Sequence, residues 1–569
     1  MIKEWIVRAE NGESVWLPVL REAFAKDPSA GRWMVRLKGS HYGVRDYEIF
    51  LPHGKGEAGD EAAERGFLLR YLKATIYNLL SAFSAGEVVL YYGEDDPGAE
   101  SLAQELPECF MREKGLGKVR HIARRIYGDF CFRTAPMREY QAVPDTEKAE
   151  QIRCGGTAET ETAETLSALL KRRIPMAEMK NCVGIDIGGS DIKLAVSAGG
   201  KLLYTREYDW NPASSPTAEG IIEPVLDLLR EAQDRLVRMG GEIQAVGISF
   251  PDIVIDDEIV GGETPKTKGM RDNPDLDYET EFMKLRNLRE SVLPLCAPGA
   301  SVRITNDGNM AAFTAAMEMA VCDNDSGLSG GIIAHTLGTD LGTGWLKEDC
   351  TIPAIPLEMY DLLLDLGDLP SASLPPEDLR SIRNENSGMP GVRRYLGQAA
   401  AYRLAWKLDA QLLKDYVKEE GGVLRIPTEP ADLRKPCLEH LMQCAADNEK
   451  AGEIFRQIGR NLAMVACEMN WIFGTTPPAR FLFGRFTKSR RCFELIREGF
   501  EAAYGEFLRS RKGQAEKGSA LEEEGAIQLV AADESMANTP LMCQLAESKG
   551  VTVAQFGQAV GAIYYALDE

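Results

Sequence analysis

The chain is short of basic charge, of paired cysteines and of long apolar runs, and each shortage removes a class of function. Lys and Arg total 65 against 87 Asp and Glu in 569 residues, a formal charge of −22. A surface that neutralises the phosphates of DNA or of anionic lipid needs the opposite balance, so neither nucleic acid nor a membrane is an expected partner. None of the twelve cysteines stands in a C-x-x-C or C-x-C pair, and the five histidines do not cluster. That argues against a thiolate zinc site. No uninterrupted apolar run approaches the ~20 residues that cross a bilayer, and the opening MIKEWIVRAE lacks a basic-then-apolar leader pattern. With many unpaired thiols, the expected setting is a reducing, cytoplasmic one.

What is present is length and organisation. At ~100–200 residues per domain, the chain predicts two to four domains. Residues 1–145 read as an N-terminal α/β or α+β domain without an assignable role. An amphipathic stretch covers Trp16–Lys26, strands cover Trp33–Lys38 and Tyr47–Leu51, a helix Gly66–Phe83 and a strand Val88–Tyr92. The basic run Lys118–Arg125 has no partner helix for DNA recognition and reads as a solvated face. Residues 146–179 are a linker and a short helix, 180–300 form a first lobe, and 301–569 a second with an enlarged insertion at 345–450. Strands alternating with helices after residue 180 predict a largely parallel inner sheet.

Three segments carry candidate chemistry. In Val183-Gly-Ile-Asp-Ile-Gly-Gly-Ser-Asp-Ile-Lys193, an apolar strand ends in Asp186. Gly188 and Gly189 then allow close backbone approach to a phosphate, Ser190 adds a hydroxyl, and Lys193 either steadies the hairpin or supplies charge. Alone, the segment is also an ordinary hairpin with a surface carboxylate, and Lys193 an ordinary strand lysine. In Arg303-Ile-Thr-Asn-Asp-Gly-Asn-Met-Ala-Ala312, Asn306 and Asp307 fall where a strand meets a helix. A carboxylate there can take a proton from a substrate hydroxyl, and either residue can equally cap the helix. In Ile332-Ile-Ala-His-Thr-Leu-Gly-Thr-Asp-Leu-Gly-Thr-Gly-Trp345, Gly338, Thr339, Gly342 and Thr343 could offer N–H groups and hydroxyls to phosphate oxygens.

Taken in order, these segments resemble the ROK family of sugar kinases and regulators, within the larger group sharing the actin, hexokinase and heat-shock ATPase fold. Asp186–Lys193 is similar to that family's first phosphate motif, with Ser for the usual Thr. Gly247-Ile-Ser-Phe-Pro251 and Glu263-Thr-Pro-Lys-Thr-Lys-Gly269 resemble its sugar-side loop. Asn306-Asp307-Gly-Asn resembles its catalytic signature, Leu337–Gly344 its second phosphate motif, and Arg480-Phe-Leu-Phe-Gly484 its adenosine-side strand. The tail Gly557-Gln-Ala-Val-Gly-Ala-Ile resembles its closing helix.

The resemblance implies a two-lobed ribonuclease H-like α/β kinase fold over residues 180–569 and ATP-dependent phosphorylation of a hexose or amino-sugar hydroxyl. Asp307 would be the general base, and Asp186 would hold Mg²⁺ through water. Asn306, Glu263, Glu358 and Asp361 would contact sugar, and Gly484 the nucleotide. The chain departs from the pattern in lacking the family's zinc loop, so no structural zinc is expected. Pro356-Leu-Glu-Met-Tyr-Asp361 stands where the family has its Glu-x-Gly-His clamp, and both carboxylates there could instead face solvent. Asp340 would lie beside the triphosphate, where a carboxylate is repulsive unless Mg²⁺ intervenes. The same fold also serves as a non-catalytic sugar sensor, and a different acceptor or donor is a third reading. A homodimer is expected from family habit alone.

Overall fold

Short apolar strands that end in polar turns organise the region after residue 180. Cys182–Ile187 lies within β5 (Asn181–Ile187), which turns at Gly188–Gly189 into β6 (Asp191–Ala198). Gly199 and Gly200, at φ +57° and +73°, then turn β6 into β7 (Lys201–Asp209), as a tight right-twisting hairpin requires. After helix α4 (Glu219–Arg238), β8 (Ala245–Phe250) lies parallel to β5, and β11 (Ser301–Asn306) lies parallel to β8. The sheet order is β11-β8-β5-β6-β7. A short hairpin, β9 (Val254–Ile255) and β10 (Glu258–Ile259), projects after β8, and helix α5 (Tyr278–Arg286) follows it.

The second sheet repeats the theme. β12 (Ile332–Leu337) and β13 (Leu341–Leu346) are antiparallel, and β14 (Ala479–Gly484) and β15 (Gln528–Ala531) follow in parallel on the other side. A three-strand meander or hairpin joined to two parallel strands, twice, is the ribonuclease H-like duplication. The expected two-lobed architecture is therefore present. The expected boundary at residue 300 needs correcting, because β11 supplies the fifth strand of the first sheet and its pairing to β8 cannot be divided between lobes.

The structure is a computed structural model and describes residues 1–53, 61–94, 98–112, 115–143, 164–262, 265–322, 325–338, 341–367, 378–381, 391, 393–420, 423–425, 431–512, 526–532 and 536–567. In the N-terminal region, β1 (Ala30–Gly39), β2 (Gly43–Pro52), β3 (Glu87–Tyr92) and β4 (Cys131–Pro136) form a mixed sheet in the order β2-β1-β3-β4. Helices α1 (Leu17–Lys26), α2 (Glu61–Phe83) and α3 (Lys118–Tyr127) surround it.

One apolar cluster runs without a break from this region into the second lobe. It joins Phe24, Tyr71 and Phe83 to Trp345, Leu482 and the helices α7 (Glu449–Phe473) and α8 (Arg490–Lys512). The segment after β13 is laced to the C-terminal end of α2. Leu357 N donates to the Ala82 carbonyl (3.0 Å), Glu358 N to Ser81 (2.9 Å), and Asn78 exchanges hydrogen bonds with Leu363.

Two helices approach strands so closely that only glycine fits. The helix α6 (Asp307–Val321) packs on β13, where a Cβ at Gly344 would lie 1.8 Å from the Gly308 carbonyl oxygen. The C-terminal helix α9 (Val553–Tyr565) covers the first sheet, where a Cβ at Gly184 or Gly247 would lie 1.8 or 1.9 Å from the Ala559 or Ala562 oxygen. These glycines are packing devices rather than ligand contacts.

Candidate functional site

Asp186 is the penultimate residue of β5. Its Oδ1 accepts a hydrogen bond from Ser249 (2.7 Å). Burial pushes its carboxyl up to about 6, against the pull of the Ser249 hydroxyl and Lys193, and Asp307 and Asp191 push the same way as burial. The charge of Asp307 therefore reaches Asp186, although 121 positions separate them in sequence.

The hairpin beside Asp186 is built by Asp191, a residue whose part the sequence pattern does not single out. Asp191 takes hydrogen bonds from the Ser190 hydroxyl (3.0 Å) and from Lys193, while its carbonyl accepts from Gly188 N (2.8 Å). Trp210 closes the turn from the far side, donating from Nε1 to the Gly188 carbonyl (3.1 Å). Lys193 thus acts through Asp191 to brace the hairpin, and does not point free charge at a ligand. Gly189 and Ser190 are exposed at the tip. A cation does stand nearby: Lys266 Cε lies 4.0 Å from where a Gly189 Cβ would be, and its Nζ donates to the Pro251 carbonyl (2.8 Å).

Asn306 and Asp307 share the junction of β11 and α6. Asn306 caps the helix, its Oδ1 accepting from Gly308 N (2.8 Å), and its Nδ2 donates to the Asp252 carbonyl (2.9 Å). Asp307 Oδ1 also accepts from Gly308 N (2.8 Å). The cap fixes Asn306, and Asp307 opens the first turn of α6.

Opposite stands a buried carboxylate pocket. Asp252, directly after Pro251, accepts from Ile253 N (2.8 Å) and Gly262 N. Burial raises its carboxyl, with those N–H groups pulling the other way. Glu358, 9% exposed, converges on the same point: its Oε2 and Asp252 Oδ1 lie 3.2 and 3.3 Å from where a Cβ on Gly262 would sit. Burial pushes Glu358 up to about 7, Lys118 pulling it down and Asp361 pushing it up. Its Oε2 has no hydrogen-bond partner. Asp361 is also buried, its Oδ2 accepting from Lys118 Nζ (2.7 Å) and Tyr77 OH (3.4 Å). Neither Glu358 nor Asp361 faces solvent. Leu357, at φ +54°, holds the turn that aims Glu358 inward, a strained setting of the kind found at functional positions.

The second hairpin is placed less completely. Gly338 follows β12 and its carbonyl accepts from Gln398 N (3.1 Å), and Gly342 lies at the start of β13. Thr343 points away from the hairpin tip: its Oγ1 is buried 3.3 Å from His335 Nδ1, so the expected hydroxyl contact to phosphate is corrected. His335 is itself buried against Arg480, and burial with that guanidinium holds it neutral, well below its usual range. Gly484, at φ +104°, is required by contact, since a Cβ there would meet the Leu337 oxygen at 2.1 Å. It thereby ties the end of β14 to the hairpin. Thr339, Asp340 and Glu263 lie outside the described residues.

The basic run Lys118–Arg125 is corrected most. It is the helix α3, and its two end cations are buried in the site region: the Lys118 and Arg125 side chains are 13% and 8% exposed. Sequence reasoning missed Asp252, Lys118, Lys266 and Asp191. Asp191 lay within the hairpin motif, and Asp252 one residue beyond the sugar-side loop, so both had a signal. Lys118 had none.

Among the described residues, no group of three or more His, Cys, Asp or Glu side chains is arranged to hold a metal ion, and no helix is long and apolar enough to cross a membrane.

No protein-family model and no curated protein matches the chain. Solved structures do. The ROK family glucokinase from Streptomyces griseus in complex with glucose and AMPPNP is similar at 18% identity, covering 68% of this chain and 99% of its own, with a TM-score of 0.39. The ROK hexokinase from Thermus thermophilus is similar at 17% identity over 67% of this chain and 97% of its own, TM-score 0.39. A ROK family transcriptional regulator, a homologue of the E. coli MLC protein, is similar at 12% identity over 69% of this chain and 90% of its own, TM-score 0.40.

Proposed function

We propose that the protein transfers the terminal phosphoryl group of ATP to a hydroxyl of a sugar bound between Asp307 and the Asp252–Glu358–Asp361 pocket. The observation that carries this reading is the pairing of two unlike carboxylate environments across one cleft. The charge of Asp307 reaches Asp186 beside the glycine hairpin, and Glu358 keeps a buried, unpartnered oxygen next to Asp252. The first environment suits a metal-bound phosphate, and the second suits hydroxyl groups that donate to carboxylates.

Phosphoryl transfer asks a protein mainly for positioning and charge stabilisation. Asp307 accepts the proton of the acceptor hydroxyl as that oxygen forms a bond to the γ-phosphorus. The bond from γ-phosphorus to the bridging oxygen breaks, and ADP leaves. Asn306, held by the Asp252 carbonyl, and Glu358 orient the acceptor. The backbone N–H groups at Gly189 and Ser190, with those of Gly338 and Gly342 from the second hairpin, receive phosphate oxygens.

Asp186 fits Mg²⁺. Its carboxylate is a hard oxygen donor, only Oδ1 is taken, and a cation would relieve the mutual push of Asp186 and Asp307. Mg²⁺ bound there would neutralise charge on the phosphates. Lys266, beside Gly189, is the cation available from the chain itself.

The test is ADP release from Mg·ATP across hexoses, amino sugars and polyols, run beside Asp307→Asn. Turnover with one acceptor class, lost in the variant, supports the reading. Acceptor binding without turnover would replace it with the sensor reading.

A further inference from the structure

Phosphoryl transfer requires the two lobes, yet a side chain from the N-terminal region stands inside the acceptor pocket. Lys118 is the first residue of α3. Its Nζ lies 2.7 Å from Asp361 Oδ2 and 2.9 Å from the Tyr360 hydroxyl, and Glu358 and Asp252 also face it. Burial alone would lower this ammonium, but the three carboxylates outweigh burial and raise it, so it stays charged.

The rest of α3 fixes that ammonium in place. Ile122 packs on Ile253, Ile255 and Val260 of the β9–β10 hairpin. Arg125 pairs with Glu279 of α5 in the first lobe (2.8 Å), donates to the Val260 and Gly261 carbonyls (3.3 Å each), and lies over the Phe282 ring (4.3 Å). One end of α3 is thus anchored on the first lobe, while the other reaches Tyr360 and Asp361 beyond β13. The helix thus bridges the first lobe and the segment beyond β13.

A buried ion pair kept only for stability closes on itself, because an unmatched polar atom in it is costly. This cluster closes only in part: Tyr360 bonds to Glu358 and Lys118 to Asp361. Glu358 Oε2 is buried without a partner, next to Lys118 and Asp252, and the Leu357 turn holds it there. That oxygen is open to a hydrogen-bonding group from outside the chain.

We propose that Lys118 is a positioning residue of the acceptor pocket, holding Asp361 and Glu358 in place to receive acceptor hydroxyls, so that the N-terminal region is a working part of the site. The proposal takes its pocket from the phosphotransfer reading but needs only that a polyhydroxylated ligand binds there.

The experiment uses the full chain with Lys118→Met, Lys118→Arg and, as a control on the exposed face of the same helix, Arg124→Ala. The probes are D-glucose, D-mannose, D-fructose, N-acetylglucosamine, N-acetylmannosamine and sorbitol. Each is titrated calorimetrically without nucleotide and then assayed with Mg·ATP.

Lys118→Met is expected to weaken acceptor Kd and KM at least tenfold with the ATP KM within twofold. Lys118→Arg should restore most of that loss, and Arg124→Ala should match the unmodified protein. The same loss in calorimetry without any turnover would retain the proposal while removing the kinase reading. A folded Lys118→Met with unchanged acceptor Kd would overturn the proposal and leave the kinase reading standing. Equal losses for acceptor and ATP, unrelieved by Lys118→Arg, would also overturn it in favour of a structural role. Should Lys118→Met fail to fold, Lys118→Gln, which keeps a donor toward Asp361, carries the same expectation. Failure of the unmodified protein to bind any probe would overturn both readings.

Discussion

Asp307 and Asp186 interact through their charges, and under the proposed function each makes its own prediction. General-base catalysis contributes roughly 10²–10⁴-fold, so Asp307→Asn should lower kcat by at least that range. Calorimetric binding of acceptor and nucleotide should stay within a few-fold, because Asn keeps the shape and the Gly308 hydrogen bond. Asp186 must be ionised to serve a metal-bound phosphate, and burial lifts it to about 6. The kcat/KM for Mg·ATP should therefore fall as pH drops through about 6, and raised Mg²⁺ should move that limb to lower pH. A flat profile from pH 5 to 8 would remove Asp186 from the metal-binding role.

Glu358 gives a stability test that needs no turnover. Its carboxyl is raised from 4.5 to about 7, so the folded chain holds a proton there that the unfolded chain has released. The contribution of this group is full below about pH 4.5 and is lost as pH rises through about 7. Each tenfold change in proton affinity is worth about 1.4 kcal/mol, which makes the loss on the order of 3 kcal/mol. Glu358→Gln should thus unfold at higher denaturant concentration than the unmodified protein at pH 8, and at nearly the same concentration at pH 4.5. Acceptor binding should be weaker at both. Equal differences at the two pH values would show that Glu358 does not titrate within the fold.

At the scale of elements, what was legible divides by distance along the chain. The helix over Gly66–Phe83 and the strands of the N-terminal region are local patterns, and each appears close to where periodicity places it. The glycines of Gly184-Ile-Asp and Gly247-Ile-Ser were visible too, but their reason was not. They admit α9, which lies more than 300 residues further on. Lys118 belongs with Tyr360 and Asp361, 242 and 243 residues away, and nothing in the run from Lys118 to Arg125 announces that partnership. A charge run on an amphipathic helix has the same pattern whether water or a carboxylate pocket receives it. Element contacts of this kind predict sharp costs. Gly344→Ala must push β13 from α6, whose first turn carries Asp307, and overpacking of this sort costs about 1–3 kcal/mol. The variant should lose more in kcat than its lowered Tm accounts for, because the displaced part is the turn that presents the base.

At the scale of the molecule, the N-terminal region and the second lobe share one interior, so they should unfold together. The apolar cluster that runs from Ile2 to Leu529 encloses a buried polar link at Arg21. The Arg21 guanidinium meets Glu468 in a two-point pair at 2.7 and 2.9 Å, with side chains 8% and 0% exposed, and stacks 3.5 Å from the centre of the Trp471 ring. Asn78 of α2 donates to the same carboxylate (3.0 Å), and Tyr47 donates to the Ile472 carbonyl (2.8 Å). Removing one partner of a buried pair strands the other, at a cost of about 3–5 kcal/mol. Glu468→Ala should therefore lower stability by that order. Hydrogen exchange is the discriminating measurement, because it reads α2 and α7 separately. Amides of both helices should lose protection in step in Glu468→Ala. Faster exchange in α2 with α7 unchanged would instead mean that the N-terminal region opens on its own, and Lys118 would then leave the cleft with it.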